Sequence, residues 1–155
     1  MPTSQLNIEA MSIWFTLYQI EVSLWHDVNH NDGKSAHEFY TQDGVFSVGE
    51  HEHLGGKNIQ EFYQWRSKRG QRTSRHLVHN FKVDVAPEGQ KAFAFGVVCL
   101  YAEDGLPILS SKPATMIADL HCEFVHCDDG FWRFAKHHLE PIFRGEGRLT
   151  AEPKA

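Results

Sequence analysis

Cysteine is too scarce in this chain, and too awkwardly spaced, to hold a fold together. The three copies, Cys99, Cys122 and Cys127, are odd in number and include no C-x-x-C pair. That argues against a disulfide framework and against a zinc ribbon, and makes a reducing cytoplasm the simplest setting. No apolar run approaches the roughly 20 residues that cross a bilayer. Residues 1–7 have neither the basic nor the apolar part of a secretion signal. Basic charge is also in short supply. Fifteen Lys and Arg against 20 Asp and Glu leave a net charge of −5, so the footprint of a nucleic-acid binder is missing. There is no G-x-S-x-G elbow, no phosphate-cradling loop, no dinucleotide fingerprint and no H-E-x-x-H pair. Nothing in the chain calls for a cofactor, and none is expected.

What is present is a chain of 155 residues, enough for one domain, with 12% aromatic residues to build its core. Residues 6–29 contain no Gly or Pro. Met11, Trp14, Tyr18, Val22, Trp25 and Asn29 recur at helical spacing, and Ile13, Leu17, Ile20 and Leu24 form a second apolar stripe. A helix apolar on two sides is expected to be mostly buried. The run 30–33 ends it. A short helix at 34–40, a strand at 45–48 and a third helix at 58–66 follow, and the basic loop 68–72 is expected to be mobile. Strands are expected at 75–85, 91–101, 115–127 and 131–143, with hairpin turns at Pro87-Glu88-Gly89-Gln90 and Asp129-Gly130. Helices followed by an antiparallel meander make an α+β plan. The expected form is a cone: a strongly curved, mainly antiparallel sheet around a long N-terminal helix, with two shorter helices. Its cavity would suit one small, mostly apolar ligand. Residues 1–144 are expected to form this single domain, and residues 145–155, which carry no pattern, a disordered tail.

Histidine is the one excess, with 11 copies, so the search for chemistry starts there. His76 opens a strand, where its side chain can reach the cone mouth, and a neutral imidazole is the usual general base. Such a base gains from an orienting carboxylate. Asp27, near the end of the first helix, and Asp119, mid-strand between Ala118 and Leu120, are the candidates. Counted outward from the Asp129-Gly130 turn, His121 faces His138, Glu123 faces Lys136 and Cys127 faces Trp132. Alternation then puts Asp119, His121, Trp132, Phe134 and His138 on one sheet face, without saying whether that face is inside. From the Glu88-Gly89 turn, His76 pairs with Tyr101 and Asn80 with Val97, which would put a phenol donor beside the base. Tyr18 and Trp25 would wall the ligand. His51-x-His53 and His137-His138 lack the spacing of a zinc site, so no metal is expected.

Several segments together carry a resemblance: Asn29-His30-Asn31-Asp32, the run 39–46, Gly56-Lys57-Asn58-Ile59, Thr73 through Asn80, Ala118-Asp119-Leu120-His121 and Gly130-Phe131-Trp132-Arg133-Phe134. In order and spacing, over about residues 8–144, the chain resembles the SnoaL-like branch of the nuclear-transport-factor-two-like superfamily, and within it the scytalone dehydratase relatives. The resemblance implies a catalytic role for His76. Where the family often has an Asp at the end of the first helix, this chain has Asn29, which can orient an imidazole but cannot take its proton. Asp119 matches a position that holds a pocket Asn in the family.

The resemblance implies a cofactor-independent lyase of the dehydratase type, acting on a small aromatic or polycyclic hydroxy or keto compound. The same parts could serve isomerisation or retro-aldol cleavage. A non-catalytic ligand-binding or oxygenase-accessory protein is the alternative from another class. Apolar residues on both faces of Phe93-Ala94-Phe95-Gly96-Val97-Val98 imply a covered outer sheet, and the resemblance implies that the cover is a second or third copy of the chain, a homodimer or homotrimer.

Overall fold

The computed structural model describes residues 8–146. Helix α1 (Ile8–Asn31) leads into a 3-10 turn (Ala36–Phe39) and strand β1 (Tyr40–Val48). Strand β2 (His51–Leu54) and helix α2 (Gly55–Ser67) follow. Four long strands complete the fold: β3 (Arg72–Val85), β4 (Lys91–Asp104), β5 (Met116–His126) and β6 (Trp132–Arg144). They form one six-stranded sheet in the order β2-β1-β6-β5-β4-β3. Every pairing is antiparallel except β1 with β6. The sheet curls around α1 as a cone-shaped α+β fold.

The sequence expectations differ from this in several places. The second helix is only a 3-10 turn, β1 begins at Tyr40, α2 begins at Gly55, and β2 is a strand that no expected element covers. The basic loop ends one residue early, because Arg72 already opens β3 and the Gly105 N–H bonds to Gln71 O at 3.0 Å. The first helix is buried over its C-terminal half alone. Leu17, Glu21, Leu24, Trp25 and Val28 are sealed, whereas Ile8, Met11 and Phe15 are more than half exposed. Over the first turns one edge of the helix still meets the sheet, where Ile13 packs against the core and Trp14 Nε1 donates to Phe81 O at 3.0 Å, while Met11 and Phe15 on the other side face outward. The tail expectation for residues 147–155 lies outside the described residues; Gly145, at its start, donates to Thr115 O at 2.9 Å.

Three features aim side chains into the cone. Gly33, at φ +71°, closes α1 where any Cβ would collide with the Tyr63 ring, so α2 can lie against the helix end. A bulge in β3 between His79 and Lys82 contains Asn80 at φ +52°. Gly96 lies across from it, where a Cβ would sit 3.0 Å from His79 O. A second bulge breaks the β5–β6 register between Glu123 and Phe124. Each bulge reverses which alternate residues face inward. Small residues on the inner face of the sheet, Ala92, Ala94 and Ala118, are fully buried and leave room for α1.

Candidate functional site

The site is built where the C-terminal half of α1 meets the start of β3. Trp25 and Asn29 are four residues apart, one turn of helix, and so present one face to the strand. The indole of Trp25 stacks on the imidazole of His76 with centroids 4.1 Å apart and planes 7° from parallel. Asn29 Oδ1 lies 2.7 Å from His76 Nδ1 and also accepts from Ser74 Oγ at 3.3 Å. A carbonyl oxygen can only accept, so His76 Nδ1 carries the proton. The lone pair is thereby fixed on Nε2, the tautomer a general base needs. Burial, and secondarily the Arg66 and Arg72 charges, hold the His76 pKa well below the ordinary 6.5, so the ring stays neutral at neutral pH.

His76 lines a cavity walled by Trp25, Val28, Phe46, Phe62 and Leu139, into which Tyr63, Arg66 and Arg72 bring the other polar groups. Its free volume is only ≈ 40 Å³. Burial keeps the Tyr63 phenol protonated, with its pKa pushed far above the usual value. The guanidinium pKa values of Arg66 and Arg72 are both lowered by burial. Arg72 pairs with Asp104 at 3.3 Å, but that carboxylate is 89% exposed.

Behind Trp25 lies a buried polar chain. Trp25 Nε1 donates to Glu21 Oε1 at 2.6 Å. Glu21 Oε2 lies 3.0 Å from His137 Nε2, and His137 Nδ1 lies 2.8 Å from the Tyr40 hydroxyl. Glu21 and His137 have no solvent exposure. Cys122 Sγ is 3.7 Å from Glu21 Oε2. Among the described residues, Glu21, Cys122 and His137 form a group with three ligand atoms close enough to hold a metal ion. Burial pushes the Cys122 thiol well above its usual pKa, and Glu21 and His137 already engage each other, which favours a hydrogen-bonded network at this spot.

The structure therefore joins His76, Trp25 and Asn29, and separates them from the other sequence candidates. Asp27 turns away and ties down the 3-10 turn: Oδ2 accepts from Ser35 N at 3.0 Å and Oδ1 from Asn31 Nδ2 at 2.7 Å. Asp119 and His121 are exposed on the outer face of β5, opposite Glu140 and His138. The expected shared face is split by the β5–β6 bulge, which turns Phe134 and His137 inward and leaves His138 on the Asp119 side. Near the turn the register also slips by one, so that Trp132 faces His126 and not Cys127. Tyr101 is 45% exposed and pairs with Arg75, because His76 registers with Leu100. Asn80 is exposed in its bulge. Tyr18 stacks on Trp14 at 5.1 Å and packs edge-on against Phe81, closing the helix onto β3 outside the His76 cavity.

Sequence reasoning missed Glu21, Tyr63, Arg66, Arg72 and His137. Glu21 did leave a signal: it is the lone acid on the stripe of Leu17, Leu24 and Val28. His137 left none, since its inward direction depends on the bulge.

No protein-family model matches the sequence, and no curated protein matches it. Solved structures do match in shape. A candidate scytalone dehydratase from Novosphingobium aromaticivorans superposes with a TM-score of 0.76 at 13% identity, covering 90% of each chain. ActVI-ORFA from Streptomyces coelicolor gives 0.72 at 12% identity, over 84% of this chain and 98% of that one. A Catenulispora acidiphila protein in complex with S-DNPA gives 0.71 at 16% identity, over 84% and 94%. At such identities the likeness is one of architecture, the cystatin-like fold that an NTF2-like protein from Novosphingobium aromaticivorans also has.

Proposed function

We propose that the protein is a cofactor-independent lyase of the dehydratase type, acting on a small β-hydroxy carbonyl compound or its aromatic equivalent. The observation that carries this reading is the 2.7 Å bond between Asn29 Oδ1 and His76 Nδ1 on a cavity-lining imidazole. His76 Nε2 removes the proton on the carbon next to the carbonyl. The protonated Tyr63 phenol stabilises the enolate oxygen by hydrogen bonding. The C–O bond of the β-hydroxyl then breaks as the imidazolium returns its proton to the leaving oxygen, releasing water. Carbon ends as an enone, His76 ends neutral, and no electron acceptor is used. The candidate dehydratase among the similar structures supports the reading, and the S-DNPA complex supports a small organic ligand.

A panel of β-hydroxy ketones and phenolic benzylic alcohols tests it. His76→Ala and His76→Gln are expected to keep the wild-type circular dichroism spectrum and lose roughly two to four orders of magnitude in turnover. Near-wild-type turnover by either variant refutes the mechanism. The narrowness of the cavity favours a second reading, a ligand-binding protein without chemistry. That reading requires unchanged ligand affinity in His76→Ala and no turnover by the wild type on any member of the panel. In assembly, we propose a homodimer or homotrimer, in which a second copy covers Phe93, Phe95 and Tyr101 on the outer face.

A further inference from the structure

The chamber at His76 is too small for the compounds just considered. A cavity of about 150 Å³ is what takes up a single benzene ring, and the chamber offers ≈ 40 Å³. It shares Arg66 and Arg72 with a much larger groove of ≈ 1080 Å³ between the starts of β3 and α2's end on one side and the 105–115 segment on the other. Only the reacting end of a substrate fits the chamber, so the groove must hold the rest.

That groove is basic in a chain of net charge −5. Arg66, Arg69, Arg72, Arg75, Lys112 and Arg144 line it, six cations against the three acids Glu103, Asp104 and Glu146. Two of those acids are already engaged, Glu103 with Lys112 and Asp104 with Arg72. The Asp104 carboxylate is so exposed that it neutralises little of the Arg72 charge. Arg72 Nε is buried and has no hydrogen-bond partner among the described residues. A buried guanidinium N–H without an acceptor is costly, and an anion at the junction would supply one in the fork geometry that guanidinium groups match.

We propose that the substrate is an anion, a carboxylate or a phosphate ester. Its charged group lies between Arg66 and Arg72 at the junction of chamber and groove, and its reacting carbon reaches inward to His76. This deepens the reading of His76 as the base, yet the binding it requires does not depend on turnover.

Binding of 2-naphthoate, 2-naphthyl phosphate and the neutral 2-naphthamide to the full chain, followed by calorimetry and by Trp25-dependent fluorescence quenching, decides the matter. At least one anion is expected to bind about tenfold or more tighter than the amide, the scale of one charged hydrogen bond. Which anion wins identifies the carboxylate or the phosphate as the natural group. Arg72→Gln and Arg66→Gln are expected to abolish the preference, Arg72→Lys to keep part of it, and Lys82→Gln, an exposed residue outside the groove, to leave it intact. Should a Gln variant fail to fold, the wild-type comparison and Arg72→Lys still decide. Equal affinity for amide and both anions overturns the proposal, as does an undiminished preference in folded Arg72→Gln. His76→Ala is expected to retain the preference. If it does while the wild type turns nothing over, the anion site stands and the lyase reading falls.

Discussion

Glu21 sits at the centre of the polar chain behind Trp25, and its removal gives the most direct measure of how that chain is held. Glu21→Leu keeps the volume of the side chain while leaving two buried donors, Trp25 Nε1 and His137 Nε2, without their acceptor. Each stranded donor costs about 1–3 kcal/mol, and the two together about 2–6 kcal/mol. In a chain of this size such a loss lowers Tm by about 4–24 °C. His137→Leu strands the opposite partners, Glu21 and the Tyr40 hydroxyl, and is expected to cost a similar amount. The double variant removes both partners at once, so it should be less destabilised than the sum of the singles by about 1–3 kcal/mol. Urea titrations with a constant slope across the four proteins supply the cycle. A Glu21→Leu loss under about 1 kcal/mol, or singles that add within about 0.5 kcal/mol, would show that Glu21 and His137 are not coupled as the distances imply.

Three further outcomes follow from the site and the outer face. The His76 pKa is depressed, so between its folded value and 6.5 the unfolded chain binds more protons than the folded one. Stability is therefore expected to fall as pH drops below 6.5 until the folded value is passed, and His76→Gln to flatten that decline in urea melts across pH 5–8; His53 has the same sign and remains in both proteins as the background. Asn29→Ala is expected to lower turnover by less than His76→Ala does, because Asn29 only orients the ring, while Asp27→Asn and Asp119→Asn leave turnover near wild type; a severe loss in Asp119→Asn would contradict its place on the outer face. Light scattering at micromolar concentration is expected to give a dimer or trimer mass, and Phe93→Glu with Phe95→Glu, both 40% exposed in one copy, to give a monomer; a wild-type monomer sinks the assembly.

Local periodicity made the order of elements readable. An uninterrupted helical stripe, two hairpin turns and alternating strands have their causes within a few residues of one another, and the resemblance rested on that same order. Trp25 and Asn29 could be paired as neighbours on one helix face for the same reason, and His76 stood out as a strand-opening histidine. The side chains around that centre were not readable by the same means. Whether a strand residue faces in or out depends on every bulge between it and the counted turn, and a bulge forms from the fit between two strands that meet across the sheet. The one at Asn80 moved His76 opposite Leu100 and sent Tyr101 outside. The one in β5–β6 brought His137 to Glu21, a partner 116 residues away, and left Asp119 and His121 outside. Arg66 and Arg72 look like parts of an ordinary basic stretch, and only the folded chain brings the end of α2 and the start of β3 to one cavity with the imidazole. The chain's own sequence determined the helix and strands of a cone and singled out His76 among its histidines, because helical and strand periods are local properties. The tertiary structure decided which charges face that histidine, because burial and direction arise only when distant segments meet.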